Sequence, residues 1–541
     1  MSDMRGEIRN QTREQVRPQR RKAGWAVVAA VAAAALALSG CSALSALVPG
    51  NGSAEVQSNG GAPQELPEKP AGSVVGMGEQ SPNWRDCAEG LQCADVYAPL
   101  NWGDPAGELI TLRIVKHEAT GSDPIGTLFV NPGGPGASGV DYVTNALDYA
   151  IPSEVQREYD VIGWDPRGVG SSSPITCLDA AGMDEYLFGL GDGENLEPGS
   201  ADWITEVRAE SRQFGADCQN STGDLLGHVS TDDTVQDLDM LRAIVGDEQL
   251  NYLGFSYGTY IGARYADAYP QNVGRLVLDG AMDPASTMSD VVREQTRGFE
   301  LALRAYVTNC LTQSDCPLSG TVDEAMQQIS VLLDEADTQP LQGKDGRWLS
   351  ANTLLTAIIT PLYAESNWGM LDQLFAAVLQ GNPEVGLALA DLYYDREGGA
   401  YLSNSTEAFS AINCLDYPER AVDVQQMRAE AAQLTEIAPT IGRFQGYGAL
   451  SCAEWPVDSS SDRGPVTATG AAPILVVGTT GDPATPYRWA ESLAEQLDSG
   501  VLLTYEGEGH TAYGESNCID EVINAYLLTG EAPAKPVTCS R

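Results

Sequence analysis

Asn251-Tyr252-Leu253-Gly254-Phe255-Ser256-Tyr257-Gly258-Thr259-Tyr260 is the stretch that decides how this chain is read. Within it, Gly254-Phe255-Ser256-Tyr257-Gly258 has the form G-x-S-x-G, in which a serine sits on a sharp strand-to-helix turn with its Oγ lifted off the sheet. Side chains at the flanking positions would collide with the neighbouring strand and helix, so both are glycine. The pattern also arises by chance, so its surroundings matter. Leu250–Phe255 reads as a short apolar strand, and Thr259–Tyr269 as a helix rich in alanine and aromatic residues. Strand, turn and helix are the context the motif requires; the alternative is an ordinary serine in a Gly-rich turn.

Outward from this stretch, strands and helices alternate. Gly107–Glu118 has the two-residue alternation of a strand, while Ile125–Val130 and Tyr159–Trp164 are fuller apolar runs, as buried strands require. The first run ends in Asn131-Pro132-Gly133-Gly134-Pro135-Gly136, the second in Asp165-Pro166-Arg167-Gly168-Val169-Gly170. Thr231–Val245 has helical spacing, and Arg275–Asp279 is the next strand. Such alternation implies a mostly parallel sheet with helices on both faces. From about Pro284 to Gly464 the pattern changes. Val291–Leu311, Leu349–Tyr363, Gly369–Gln380, Val385–Tyr394 and Val422–Ile437 all read as helices, which suggests a helical insertion. The sheet resumes with Ile474–Gly478 and Gly500–Tyr505, with helices at Ala490–Gln496 and Cys518–Leu528.

A serine nucleophile needs a general base and a group that orients that base. His510 is the one histidine after Ser256, and it lies in the Gly-rich loop Gly507-Glu508-Gly509-His510-Thr511 just past a strand. The orienting acid is expected after the preceding strand, which makes it Asp482 in Thr479-Thr480-Gly481-Asp482-Pro483. Glu506 and Glu508 sit too close to His510 in sequence to orient it easily. Acyl transfer also needs donors for a developing oxyanion: the N–H of Tyr257, after the nucleophile, and the N–H groups of Gly133 and Gly134 in the loop after an early strand. No Lys-Ser/Thr follows that loop, which argues against a phosphate-binding reading.

Together, Asn131–Gly136, Trp164–Gly170, Gly254–Gly258, Gly481–Pro486 and Gly507–Tyr513 resemble the exported tripeptidyl aminopeptidase group of α/β-hydrolases, which is related to the prolyl aminopeptidases. The resemblance runs from about Asn83 to Cys539. It implies an α/β-hydrolase fold with a mostly parallel central sheet and an inserted, largely helical cap. It also implies a serine exopeptidase that releases short peptides from free N-termini, with peptides as substrates and no cofactor; the absence of any C-x-x-C, with His117, His228 and His510 the only histidines, argues against a zinc site. In such enzymes cap carboxylates can bind the substrate's ammonium group. Glu365 and Asp416, beside Tyr363 and Tyr417, are the candidates, with solvated helix faces as the alternative. An esterase or lipase on the same scaffold is the second reading, and a binding protein on a retired hydrolase fold the third.

The N-terminal region sets the destination. Arg20-Arg21-Lys22 precedes Ala23–Leu38, a run of small and apolar residues, and Leu38-Ser39-Gly40-Cys41 follows at once. This is the build of a secretory signal. Leu-Ser-Gly-Cys also resembles the bacterial lipobox, which implies lipidation of Cys41; a plain signal peptide or a single anchor helix is the alternative. The expected organisation is a signal peptide at 1–40, a lipidated cysteine and Gly/Ser/Pro-rich linker at 41–81, core at 82–283, cap at 284–465 and core again at 466–541. The expected location is the outer face of the cell membrane, in the cell envelope, with a partly released fraction.

Charge and cysteine content agree with export. The 541 residues carry a net charge of −44. Residues 1–40 hold seven Lys/Arg and three Asp/Glu, so the remainder has 24 basic and 72 acidic residues, a net −48. So acidic a surface repels nucleic acid and anionic lipid headgroups. Setting Cys41 aside leaves ten cysteines, an even number that suggests disulfides in an exported chain. Pairing neighbours along the chain is the simplest scheme: Cys87–Cys93, Cys177–Cys218, Cys310–Cys316, Cys414–Cys452 and Cys518–Cys539.

Overall fold

The computed structural model describes residues 65–190, 196–417, 423–459 and 461–541. The signal region, Cys41 and residues 42–64 of the linker lie outside the described residues.

Apolar runs that tolerate no solvent on either side become the middle of a ten-stranded sheet. In chain order its strands are β1 (Arg85–Ala88), β2 (Leu91–Pro99), β3 (Leu109–His117), β4 (Gly126–Asn131), β5 (Tyr159–Trp164), β6 (Leu250–Phe255), β7 (Val273–Asp279), β12 (Ile474–Gly481), β13 (Gly500–Glu508) and β14 (Val537–Ser540). Two short hairpins between β7 and β12 supply β8 (Leu341–Gln342) with β9 (Trp348–Leu349), and β10 (Arg396–Glu397) with β11 (Ala400–Tyr401). The order across the large sheet is β1-β2-β3-β5-β4-β6-β7-β12-β13-β14. From β5 to β14 every pairing is parallel, and β1, β2 and β3 add antiparallel strands at one side.

Alternate side chains of the parallel strands feed two cores. Leu128, Val130, Val161, Leu253, Val277, Leu475 and Val477 pack on one face, under the Gly139–Ala150 and Asn517–Thr529 helices. Phe129, Ile162, Trp164, Tyr252, Leu276, Leu278, Ile474 and Val476 pack on the other, in a core that runs on without a break into Leu354, Leu355 and Tyr393 of the helical segment. Adjacent residues therefore serve opposite faces, as the pleat dictates.

Between β7 and β12 the chain forms a mainly helical segment, here called the cap. Its long helices are Met288–Cys310, Val322–Thr338, Ala351–Leu362, Trp368–Val378, Glu384–Tyr393, Ser405–Asp416 and Val424–Ile437. A second stretch joins this layer. The helices Ala180–Phe188 and Ala201–Thr222 leave the sheet after β5 and reach the cap through Arg396–Asp184 at 2.7 Å and the contacts of Arg208 and Arg212 with Glu454. All five neighbour-to-neighbour disulfides are formed: Cys87–Cys93, Cys177–Cys218, Cys310–Cys316, Cys414–Cys452 and Cys518–Cys539. Among the described residues no helix is long and apolar enough to cross a membrane.

The Trp164–Gly170 motif is a fastening. Arg167 is fully buried; its guanidinium donates to both Asp237 oxygens at 2.6 and 2.7 Å and to the carbonyls of Pro99, Leu100 and His228. Asp165 accepts from Val140 N and Ser171 N and from the Ser138 hydroxyl, which joins the β5 loop to the start of the Gly139–Ala150 helix.

Candidate active site

Ser256 is where β6 turns into the Tyr257–Ala268 helix, and its backbone is at φ 54°, ψ −124°, a region an L residue occupies only under constraint. The constraint is visible. The Ser256 N–H donates to Asp279 O at 2.9 Å, and its C=O accepts from Thr259 Oγ1 at 2.6 Å. A Cβ added at Gly254 would lie 2.5 Å from Gly258 O, and one at Gly258 would lie 2.8 Å from Asn131 O, so both glycines are required by contact. The serine is buried, and its Oγ makes no hydrogen bond within the described residues. The helix that starts here leaves first-turn N–H groups, Tyr257 included, without intrahelical acceptors, and its dipole favours negative charge at this end.

His510 stands in the loop that follows β13. Its Nδ1 lies 2.9 and 3.0 Å from the two carboxylate oxygens of Asp482, in the loop after β12, and 3.2 Å from Thr485 Oγ1. The Asp482 carboxylate also accepts from Ala484 N at 2.9 Å, Thr485 N at 2.8 Å, Thr485 Oγ1 at 2.8 Å and Thr511 N at 3.2 Å. These donors match an ionised carboxylate, and such a partner assigns the proton of the neutral imidazole to Nδ1. The cap reaches the same residue. The His510 N–H donates to Tyr363 O at 2.8 Å, and the Tyr363 ring meets the imidazole edge to face with centroids 5.5 Å apart.

The loop after β4 closes on the serine. A Cβ at Gly133 would fall 2.5 Å from Phe255 O, 3.0 Å from Ser256 Cβ and 3.0 Å from Tyr257 N. The expectation that Gly133 offers its own N–H to an oxyanion is revised, because that N–H donates to Asn131 Oδ1 at 2.9 Å and is spent inside the loop.

The two cap carboxylates are placed differently. Asp416 is buried, and its oxygens accept from Thr231 N at 2.8 Å and Thr231 Oγ1 at 2.6 Å; that hydroxyl also contacts the Tyr257 hydroxyl. Burial pushes the Asp416 carboxyl up to about 7. These bonds tie Asp416 to Thr231, beside the Tyr257 that follows the nucleophile. Glu365 is partly exposed beside the His510 loop, where it pairs with Arg541 at 2.8 Å. Burial and then the Glu365 charge raise the carboxyl of Glu508, so the rim of the site is acidic.

Sequence reasoning missed three residues that shape the site: Tyr363 as the cap's contact to His510, Thr485 beside Asp482, and Asp279. The last left a signal, a carboxylate closing the apolar run Leu276-Val277-Leu278 at the sheet edge that holds the serine.

The chain is similar to known hydrolases. Residues 438–539 match the family described as TAP-like protein, and residues 126–325 match the alpha/beta hydrolase fold. The chain is 36% identical over 463 residues to a Mycobacterium tuberculosis protein named serine protease Hip1, covering 83% of this chain and 87% of that one. It is 34% identical over 492 residues to a protein of the same species named carboxylesterase B, covering 87% and 93%. With the tripeptidyl aminopeptidase of Streptomyces lividans it shares 31% identity over 477 residues, covering 85% and 86%.

Proposed function

We propose, for a chain that belongs to the TAP-like family of α/β-hydrolases, that it is an exopeptidase releasing short peptides from free N-termini. The chain is a serine hydrolase of peptidase type; the N-terminal mode and the residue roles below are our reading. Ser256 Oγ attacks the scissile carbonyl and passes its proton to His510 Nε2. Asp482 holds the Nδ1–H tautomer and stabilises the imidazolium that forms. The oxyanion is met by the N–H groups of Tyr257 and Gly134, at the positive end of the Tyr257–Ala268 helix. His510 then protonates the leaving amine, and water released to the site hydrolyses the acyl-enzyme by the same route in reverse.

The observation that carries the serine-hydrolase chemistry is the 2.9 Å contact between His510 Nδ1 and Asp482, made at the sheet edge where Ser256 is held at positive φ, and the peptidase relatives favour a peptide substrate. Glu365, within the acidic rim, is the residue we assign to the substrate's ammonium group; a substrate amine would compete there with Arg541. Ester cleavage is the second reading, favoured by the relative named carboxylesterase B. One assay separates them: the purified protein is profiled against free and N-blocked peptide anilides and against short and long acyl esters, with Ser256→Ala as control. Turnover of free-amine peptides supports the proposal, and turnover of esters alone overturns it. Export and a lipid on Cys41 are part of the same reading, supported by Leu38-Ser39-Gly40-Cys41. Cys41→Ala is expected to abolish lipid labelling and leave peptidase activity in place.

A further inference from the structure

We propose that Asp279 is a positioning residue for the reaction, holding Ser256 through its main chain and the His510 loop through its side chain. The inference rests on the reading of Ser256, Asp482 and His510 as the catalytic set. Asp279 is the last residue of β7, between the strand that carries the serine and the strand that leads to Asp482. Its carbonyl accepts the Ser256 N–H at 2.9 Å. Its carboxylate accepts the Ala512 N–H at 3.0 and 3.1 Å and the Tyr513 N–H at 2.8 Å. Ala512 and Tyr513 follow His510 by two and three positions. The next residue, Gly280, lies against the imidazole: a Cβ there would be 3.2 Å from His510 Cε1. One residue thus fixes the turn that presents the nucleophile and the loop that presents the base.

Packing alone does not account for a carboxylate here. Leu276, Val277 and Leu278 show what the strand needs for its cores, and Asp279 is fully buried with no ion pair among the described residues. Burying an ionised group away from solvent is costly, so something must offset it. The two loop N–H groups do so, and without the carboxylate they would themselves be buried without acceptors. The titratable groups facing Asp279 are His510, Tyr513 and Asp482. Burial raises its carboxyl to about 6, with the Tyr513 and Ala512 N–H groups and the His510 charge opposing and the Asp482 charge adding. By reciprocity, the Asp279 charge favours the imidazolium of His510 and raises the pH at which the base becomes neutral.

Asp279→Asn keeps the shape but offers one acceptor where two N–H groups point, and removes the charge. Steady-state kinetics of this variant and the wild type are measured across pH on a peptide anilide, with fluorophosphonate labelling of both. The expected result is a fall of about 10- to 100-fold in kcat with little change in KM, the cost of a misplaced base, together with an acid limb moved to lower pH. An unaltered pH profile overturns the inference, whether kcat is kept or falls only with the folded fraction, since a purely structural role would not move that limb. A wild type that fails to label at Ser256 overturns the reading of the site and this inference with it; a labelling wild type beside an unaffected variant overturns the inference alone. Should Asp279→Asn not fold, hydrogen exchange of the wild type decides. After correction for intrinsic rates, the Ala512 and Tyr513 amides should be protected at pH 7.5 and lose protection selectively below about pH 6, the value at which the carboxyl protonates. Equal protection at both pH values would rule the role out.

Discussion

The main-chain N–H of His510 donates to the carbonyl of Tyr363 at 2.8 Å, so the histidine of the sheet loop hangs in part from the cap. A hydrogen bond between main chains persists whatever side chain occupies Tyr363, but the edge-to-face ring contact does not. Such aromatic contacts contribute about 0.5–1.5 kcal/mol. Tyr363→Ala is therefore expected to lower kcat/KM by about 2- to 10-fold while leaving labelling of Ser256 by an excess of fluorophosphonate complete. Steady-state kinetics on one anilide substrate check it.

Asp482→Asn should be far more severe. An amide cannot both accept the Nδ1–H of His510 and keep the N–H groups of Ala484, Thr485 and Thr511 satisfied. A base left in the wrong tautomer costs about 10⁴-fold in kcat in serine peptidases. Single-turnover acylation of the folded variant measures this; retention of a tenth of the wild-type rate would exclude Asp482 as the orienting acid.

Arg167→Ala tests the fastening role of the Trp164–Gly170 motif. It would strand the buried Asp237 carboxylate and three main-chain carbonyls. Breaking a buried pair costs about 3–5 kcal/mol. Chemical denaturation should show a loss of that order, with the active-site serine still reactive at low temperature.

The pH dependence of stability has a definite sign. Burial raises the carboxyls of Asp165 and Asp279 to about 6, and those of Asp416 and Glu407 to about 7. In the unfolded chain they titrate near 4. Between about pH 4 and pH 7 the folded state therefore binds more protons than the unfolded state, and stability falls as pH rises through that window. Asp290, Asp345 and Glu454 act in the opposite sense: burial opposes, but hydrogen bonds with Thr287, Arg347 and Arg208 outweigh it and lower their values. Their contribution is complete above about pH 5 and is lost as the pH falls below that. The net charge of −44 adds self-repulsion at high pH. Thermal midpoints should be higher at pH 5 than at pH 8; the reverse order would contradict the burial of these four carboxyls.

Disulfide removal should rank by loop length. Cys177–Cys218 and Cys414–Cys452 close separations of 41 and 38 residues, against 6 for Cys87–Cys93 and Cys310–Cys316. Loop entropy assigns about 4 kcal/mol to the long pair and about 2 kcal/mol to the short ones. Paired Cys→Ser variants compared by thermal unfolding give the order directly.

The residues that were legible in the sequence are those whose function forces a local pattern. The glycines around Ser256, the apolar strands β4 to β7 and the Gly-rich loop of His510 can be read without neighbours, because each is a constraint on the chain itself. Features set by distant partners were hidden. β2 carries Asp95 in its middle, which makes sense only opposite Arg113 of β3. The Ser405–Asp416 helix buries eleven of its residues, Ser405, Thr406, Glu407, Asn413 and Asp416 among them, so it shows no apolar stripe. β14 is four residues long and is held at the edge by Cys539. Val322–Thr338 did leave a trace, the capping box of Thr321 with Glu324. The partners of Asp416 and Gly133, Thr231 and Asn131, are recognisable only once the chain is folded.

β7 and β12, whose ends bracket the cap, are adjacent strands, with Asp279 opposite Val477 and the Ala281 N–H bonded to Val477 O. The cap is thus a cassette with its two splice points side by side, and it can be lengthened, shortened or exchanged in one recombination event without altering a strand pairing. Substrate choice in such a lineage is free to diverge faster than the hydrolytic machinery, and relatives at similar identity bear the names of a peptidase and a carboxylesterase. The freedom has one condition. Whatever replaces the cap must present a main-chain carbonyl where Tyr363 now does, or the histidine loop loses an anchor that the sheet does not supply.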